Sequence, residues 1–336
     1  MSISTELARI GHPELQRLIE SAEPGLAGLG GSSVRLAVGG LPVFVKLVPL
    51  TEMELRPSHY RSTANLFELP TYFQYGIGSV GFGAWRELAA HVMATDWVLA
   101  KASTAFPLLH HWRVIPALKN LPSSAEEPDY FEGDRSEPPG SREIRARMAS
   151  IRAAPARLAL FLEWFPHHLH EWLSGELRQG GEGADRAVRF VEEHLDRTHA
   201  FMAEEGFVHF DTHFRNILTD GDGIYFSDFG LASCRRFELG DEERAFLAAH
   251  GDYDRCRSAT SLVHSITASL GDGRPWADQL EDAALVTSAK LSGAVRDALG
   301  RHAPVAVAML DFRRRLRTEG KMTPYPRRAL AERLRS

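Results

Sequence analysis

The segment Val208-His209-Phe210-Asp211-Thr212-His213-Phe214-Arg215-Asn216-Ile217-Leu218, followed by Ile224-Tyr225-Phe226-Ser227-Asp228-Phe229-Gly230-Leu231-Ala232, constrains the fold more than any other part of the chain. Apolar residues flank a polar loop, and a second acidic residue closes the next apolar run. A carboxylate at a strand end beside an amide is what a magnesium–phosphate site needs. Magnesium takes oxygen ligands and keeps several waters, so one or two carboxylates and an amide oxygen suffice. The pattern predicts a polar loop between short strands, carrying Asp211, Asn216 and Asp228.

Upstream, Val34–Val38 and Val43–Val48 are β-rich runs joined by Gly39-Gly40, which predicts a hairpin in a partly buried sheet. Residues 1–25 read as a short polar helical extension, and residues 50–83 as irregular. From Ala84 to Ala100 the apolar residues Trp85, Leu88, Ala89, Val92, Met93, Trp97 and Val98 recur at three and four, which predicts an amphipathic helix. His111–Pro116 and Leu158–Trp164 read as strands, the second buried. Residues 120–144 hold the densest run of Pro, Ser, Glu, Asp and Gly and read as an exposed loop or mobile insertion. Helical patterning then dominates: Ala184–Glu205, Asp241–His250, Arg255–Leu270, Trp276–Ala298 and Val305–Thr318. The first half is mixed strand and helix, the last third mostly helix, and no internal repeat is present.

A length of 336 residues suits one large domain or two lobes sharing a cleft. The formal charge of −5 gives no reason to expect a nucleic-acid partner. The locally basic tail, from Arg313, Arg314, Arg315 and Arg317 through Lys321 to Arg327 and Arg328, reads as the solvated face of a terminal helix. Two cysteines, Cys234 and Cys256, make neither a disulfide framework nor a zinc site, and reduced thiols suit a cytoplasmic protein. The N-terminal residues lack the apolar core of a signal peptide. No stretch approaches the roughly 20 apolar residues of a membrane span, so a soluble protein is expected, with no membrane partner.

The two motifs around Asp211 and Asp228 resemble those of the protein-kinase-like superfamily, whose catalytic loop runs His-x-Asp-x-x-x-x-Asn and whose metal motif is Asp-Phe-Gly. His209, Asp211 and Asn216 match the first. Asp228, Phe229 and Gly230 match the second, 17 positions after Asp211. Either motif alone is weak and equally describes loop turns with capping carboxylates; their order and spacing give the resemblance its weight. It implies an α+β, two-lobed protein-kinase-like fold with a small β-rich N-lobe over residues 26–163 and a mostly helical C-lobe over 164–336. It also implies ATP and Mg2+ as cofactors. Asp211 is then the catalytic base or orienter of the acceptor hydroxyl, and Asn216 and Asp228 hold magnesium. His209 organises the loop. Lys46, ending Val-Phe-Val-Lys, resembles the lysine that contacts the α- and β-phosphates, and Glu87 is its expected partner. Gly28, Gly30, Gly31 and Ser32 are the candidate phosphate loop. The richer run Gly76 to Gly83 follows Lys46, on the wrong side for that role, and reads as an insertion leading into the Glu87 helix. Leu160–Pro166 resembles the hinge between lobes, where adenine would meet backbone groups near Glu163 and Phe165.

The residue two after Asp211 is His213, where eukaryotic-type protein kinases have lysine. Histidine there is more like the aminoglycoside and choline phosphotransferase branch, and Arg215 is available to supply the missing positive charge. The Asp-Phe-Gly form of the metal motif instead matches protein kinases. No Ala-Pro-Glu triplet follows it, and helical sequence begins at Asp241. The reading is therefore a phosphotransferase acting on a hydroxyl of a small, antibiotic-like molecule. Asp241, Glu242 and Glu243, with Glu126, Glu127, Asp129 and Glu132, are candidates for attracting a cationic acceptor. The alternatives are a Ser/Thr kinase acting on a protein or precursor peptide, and a pseudokinase scaffold, against which the intact Lys46, Asp211, Asn216 and Asp228 argue.

Overall fold

Gly39 and Gly40, both at positive φ (59° and 80°), close the hairpin that the sequence predicts. Only glycine takes two successive left-handed positions without a Cβ penalty. The computed structural model describes residues 2–24, 32–76, 80–117, 139–270, 291 and 293–335. They fall into two units: Met1–Trp164 with Asp228–Arg244, and Phe165–Ser227 with Ala245–Ser336.

The first unit is built on a five-stranded sheet of β1 (Glu23–Pro24), β2 (Ser32–Val38), β3 (Leu41–Leu50), β4 (Leu109–Pro116) and β5 (Ala156–Glu163). The order is β1-β2-β3-β5-β4 and every pairing is antiparallel. Side chains alternate along β3, as the period of two requires. Val43, Val45 and Leu47 enter one core with Val34, Leu36 and Phe161. Phe44, Val48 and Leu50 enter the other, against Trp85 and Leu88 of α4 (Ala84–Leu99). Lys46 shares the parity of Phe44 and Val48, so its register directs it to the α4 face.

The first 25 residues are not a mere extension. They form α1 (Ile3–Arg9) and α2 (His12–Ser21), whose Leu7, Leu15 and Ile19 complete the first of these cores. Arg113 of β4 donates to the carbonyls of Leu7 (2.9 Å) and Ile10 (2.6 Å). The apolar stripe in an otherwise polar helix pair decides this, since burying a leucine side chain contributes about 1.5–3 kcal/mol. The 50–83 segment holds α3 (Glu52–Leu55) and two 3-10 turns, Pro57–His59 and Thr71–Tyr75. Most of the expected 120–144 loop lies outside the described residues, but its end is regular, because α5 (Ser141–Arg152) starts at Ser141.

The second unit contains β6 (His167–His168), α6 (Leu169–Gln179), α7 (Gly181–Glu205), β7 (Phe207–Val208), β8 (Ile217–Thr219) and β9 (Ile224–Phe226). The strands β6, β8 and β9 form a small antiparallel sheet in that order. The short β10 (Ser233–Cys234) belongs to the first unit. The helix α8 (Asp241–Ala249) runs over the division at residue 244. The second unit continues with α9 (Tyr253–Ser269), α10 (Gly293–Thr318) and α11 (Arg327–Arg333). The expected break between two late helices does not occur, since α10 runs through Pro304. A mid-helix proline costs about 3 kcal/mol. Burial of Val305, Ala306, Met309, Phe312 and Leu316 just beyond it offsets that cost. The rest of the predicted 276–298 helix lies outside the described residues. The α+β class, with an N-terminal antiparallel sheet and a helical C-terminal part, is as expected. No helix among the described residues is long and apolar enough to cross a membrane.

Candidate active site

In the first unit, Lys46 Nζ lies 2.6 Å from Glu87 Oε1 and 2.6 Å from Asp228 Oδ1. β3 supplies the lysine, α4 supplies Glu87, and Asp228 opens the turn Phe229–Leu231. Burial pulls the ammonium towards neutrality, but Asp228 and Glu87 outweigh it and hold the Lys46 pKa above its ordinary value. Burial pushes the Glu87 carboxyl up and Lys46 pulls it down. The short contact to a firmly charged ammonium favours the ionised pair. Asp228 remains 49% exposed, so it is reachable by a ligand.

Asp228 holds a left-handed conformation (φ 65°, ψ 72°) and accepts weakly from the Gly230 N–H at 3.5 Å. Such a backbone costs about 1–3 kcal/mol in a non-glycine residue and persists only where its surroundings enforce it. Phe229 does the enforcing. It is fully buried, edge-on to His91 of α4 (4.6 Å between centroids) and tilted against Phe106 (6.2 Å). The glycine run that follows Lys46 also bears on this turn. Gly81 (φ 80°) sits so close that an added Cβ would come within 2.6 Å of the Gly230 carbonyl. Ile77, Gly78 and Ser79 lie outside the described residues, as do Gly28, Gly30 and Gly31 of the candidate phosphate loop. Ser32 is buried in β2, paired with Leu47.

Sequence reasoning missed the support beneath Glu87. Glu54 is buried and its Oε1 accepts from Ala84 N (2.7 Å), capping the first turn of α4. Its Oε2 accepts from Thr51 N (3.0 Å), Thr51 Oγ1 (2.6 Å) and Arg147 Nη1 (3.0 Å). Its carbonyl takes the indole N–H of Trp85 at 2.8 Å. Burial pushes the Glu54 carboxyl up, but Arg147 and the Thr51 donors outweigh it and hold it below the ordinary value. Thr51-x-x-Glu54 is a capping-box pattern, so α3 was legible. Its second use, at the start of α4, was not.

The second unit holds the other motif. Asp254 of α9 accepts from His209 N (2.6 Å) and Phe210 N (2.8 Å), and its carbonyl takes the Thr212 hydroxyl (3.0 Å). Ser258, one turn on, donates to Thr212 O at 3.2 Å. Burial pushes the Asp254 carboxyl up to about 6, against the pull of His209 and the two backbone N–H groups. Phe210 sits at positive φ (65°) with its ring packed on Tyr253 at 5.4 Å. His209 Nε2 donates to Ser227 O (2.8 Å), while Nδ1 accepts from Asp211 N (3.2 Å). These partners fix the tautomer and make His209 an organiser of the loop.

Asn216 Nδ2 donates to Asp211 Oδ2 (3.0 Å) and Asp211 O (3.1 Å), which aims its amide oxygen the other way. Ser227, the residue before Asp228, donates from N and Oγ to Asn216 O, both at 2.9 Å. His213 Nε2 is 3.5 Å from Asp211 Oδ2, and Arg215 is exposed. Asn216 carries an amide oxygen and Asp228 a carboxylate, each a hard donor of the kind that magnesium takes.

The side chains of Glu163 and Phe165 are engaged within the protein. The Glu163 carboxylate accepts from Leu108 N (3.1 Å), and Glu163 N donates to Leu108 O (2.8 Å). Phe165 stacks on Tyr225 at 3.8 Å. Two of the three described acids expected to attract a cationic acceptor are already paired, and Glu242 is exposed. Glu243 binds the buried Arg86 (2.9 Å) and Asp241 binds Arg244 (2.6 Å). Glu126, Glu127, Asp129 and Glu132 lie outside the described residues.

No protein-family model matches the sequence, and no curated protein does. A solved structure described as WaaP in complex with acyl carrier protein aligns over 86% of this chain and 91% of that chain, at 14% identity and a TM-score of 0.38.

Proposed function

We propose that this chain is an ATP-dependent phosphotransferase that moves the γ-phosphate to a hydroxyl of a small molecule. The observation that carries the reading is Lys46 held 2.6 Å from both Glu87 and Asp228. That constellation of a strand lysine, a helix glutamate and the aspartate of Asp-Phe-Gly is what phosphoryl transfer in kinases requires. Phosphoryl transfer needs little covalent chemistry from the protein, so positioning and charge do most of the work.

In this reading Lys46 binds the α- and β-phosphates and Glu87 keeps it aimed. Asn216 and Asp228 hold magnesium, which neutralises charge on the phosphate oxygens. Asp211 takes the proton of the acceptor hydroxyl on its carboxylate, kept in place by Asn216 Nδ2 and the backbone of the 209–212 loop. His213 sits beside that carboxylate, and Arg215 offers positive charge in place of the lysine found there in protein kinases. A small acceptor is favoured because α8 begins at Asp241, leaving only a short segment after Gly230.

Calorimetry with Mg-ATP tests the assignment. Asp211→Asn should keep wild-type affinity and lose turnover, because its partner is the acceptor. Asp228→Ala should lose both. Wild-type protein that binds no Mg-ATP would falsify the reading, and so would near-wild-type turnover by Asp211→Asn.

A further inference from the structure

Residues 80–83, the end of the glycine run that reads in sequence as an insertion, form a strap against the Asp228-Phe229-Gly230 turn. The strap is fixed at its α4 end. Phe82 is buried, edge-on to Phe73 (5.8 Å between centroids) and against the guanidinium of Arg86 (5.0 Å). Gly83 passes so near Glu54 that an added Cβ would come 3.1 Å from Oε1, the oxygen that caps Ala84. A close-packed interior transmits a displacement instead of absorbing it, so a strap anchored in this way has a set position.

Gly81, next to Phe82, is buried and at positive φ (80°). An added Cβ there would come 2.6 Å from the Gly230 carbonyl oxygen and 3.3 Å from its carbon, so backbone rests on backbone. Gly230 also borders the ion cluster. A Cβ on Gly230 would come 3.5 Å from Asp228 Oδ1 and 3.5 Å from Glu87 Oε2. Gly230 therefore has the strap on its carbonyl and the carboxylates that bind Lys46 beside its Cα. His91 and Phe106 fix the ring of Phe229, but they do not touch the carbonyl that follows it. Rotation about the Asp228 backbone swings the peptide units after it, and the Gly230 carbonyl then meets Gly81.

We propose that Gly81 is a positioning residue for the metal site. Pressed on the Gly230 carbonyl, it keeps the turn in the left-handed form that places the Asp228 carboxylate on Lys46. The magnesium role of Asp228 rests on the phosphotransferase reading, but the hold of Gly81 on the turn is measured without nucleotide or metal.

Gly40 supplies the control. It has the same φ of 80° and nothing within 4 Å of an added Cβ, so Gly40→Ala carries the left-handed penalty without the collision. Hydrogen exchange in the nucleotide-free full chain follows the Ala232 N–H, which donates to Phe229 O at 3.0 Å and closes the turn. Gly81→Ala should speed exchange there by about tenfold or more, and Gly40→Ala should leave it unchanged. Calorimetry then compares ATP with magnesium and ATP with a chelator. Partners that orient a metal ligand are worth about 10–100-fold in metal affinity, so the gain from magnesium should shrink by that factor in Gly81→Ala while metal-free ATP affinity stays at the wild-type value. Phe82→Leu, which loosens the anchor and leaves Gly81 unstrained, should show both changes in the same direction. Unchanged exchange at Ala232 in Gly81→Ala overturns the proposal, and so does equal acceleration in Gly40→Ala. An equal fall in ATP affinity with and without magnesium also overturns it, by making Gly81 a structural residue only. If Gly81→Ala does not fold, Phe82→Leu decides by the same criteria. A wild type whose ATP affinity gains nothing from magnesium removes the phosphotransferase reading alone, and the exchange result then decides whether Gly81 holds the turn.

Discussion

Replacing Glu54 by alanine should be the most damaging single change to the Lys46–Glu87 pair, although Glu54 is bonded to neither residue. The carboxylate is buried against Arg147, whose side chain is buried as well. Removing one partner of such a pair leaves an uncompensated buried charge and costs about 3–5 kcal/mol. The loss of the Ala84 cap adds to this. In a unit of this size each kcal/mol lowers the melting temperature by about 2–4 °C, so a drop of roughly 6–20 °C is expected. Thermal denaturation followed by circular dichroism measures it. The double variant Glu54→Leu with Arg147→Met should recover part of the loss, because replacing both members of a buried pair by apolar residues is often neutral. Recovery is incomplete, since Ala84 N and Thr51 N still lack an acceptor. Mg-ATP affinity should fall in the single variant as α4, and Glu87 with it, loses its fixed start. A melting temperature lowered by less than about 3 °C, or strictly additive single and double variants, would refute the argument.

Asp254→Ala should leave two buried N–H groups without acceptors, at about 1–3 kcal/mol each, and should lower kcat while Mg-ATP affinity stays unchanged by calorimetry. His199 is held neutral by burial, then by Arg255 and His209, with a pKa of about 3. Its depressed value means that stability is complete above the unfolded histidine pKa and is lost as pH falls towards the folded one; at pH 5 the loss is about 2 kcal/mol, and His199→Gln should flatten this part of a melting-temperature profile between pH 7 and 5. Protein made without any other kinase and shown by intact mass to be unphosphorylated should turn over its acceptor without a lag. A lag that tracks one added phosphate and disappears with activity in Ser233→Ala would promote the protein-kinase alternative.

The hairpin, the α4 helix, the buried strand and both motifs were legible because each depends on local signals. A Gly-Gly turn, a three-four apolar repeat and a fixed spacing of polar residues are all read without knowing what packs against them. The Lys46–Glu87 pair was legible through the resemblance. What escaped were the long-range supports. Asp254 lies 45 residues from His209 and looks like any acid at a helix start. Arg147 follows the polar 120–144 run and reaches 93 residues back to Glu54. The tail arginines look alike in sequence, yet Arg313 is half-buried and its neighbour Arg314 exposed. Side-chain periodicity reports which residues are buried, not which distant partner satisfies a buried charge.

The same limit explains why the 50–83 segment reads as an irregular insertion. Its described residues are ordered by what they bind, and part of what they bind is the chain after Asp228-Phe229-Gly230. Glu238 accepts from Ser62 Oγ (2.7 Å) and Thr63 N (2.8 Å), while Glu238 N donates to Thr63 Oγ1 (2.9 Å). Arg86, buried between Phe82 (5.0 Å) and Phe237 (5.6 Å), donates to Thr63 O and Glu243. In kinases that are switched by phosphorylation, a phosphate paired with arginine supplies the charge that orders this stretch. Here Glu243 is the carboxylate that binds Arg86, and burial excludes the water that would weaken the contact. Ser233 is itself buried, so a phosphate there would first have to unpack the turn. Under the phosphotransferase reading, a segment ordered by built-in carboxylates needs no added phosphate, so turnover without prior phosphorylation is the expectation.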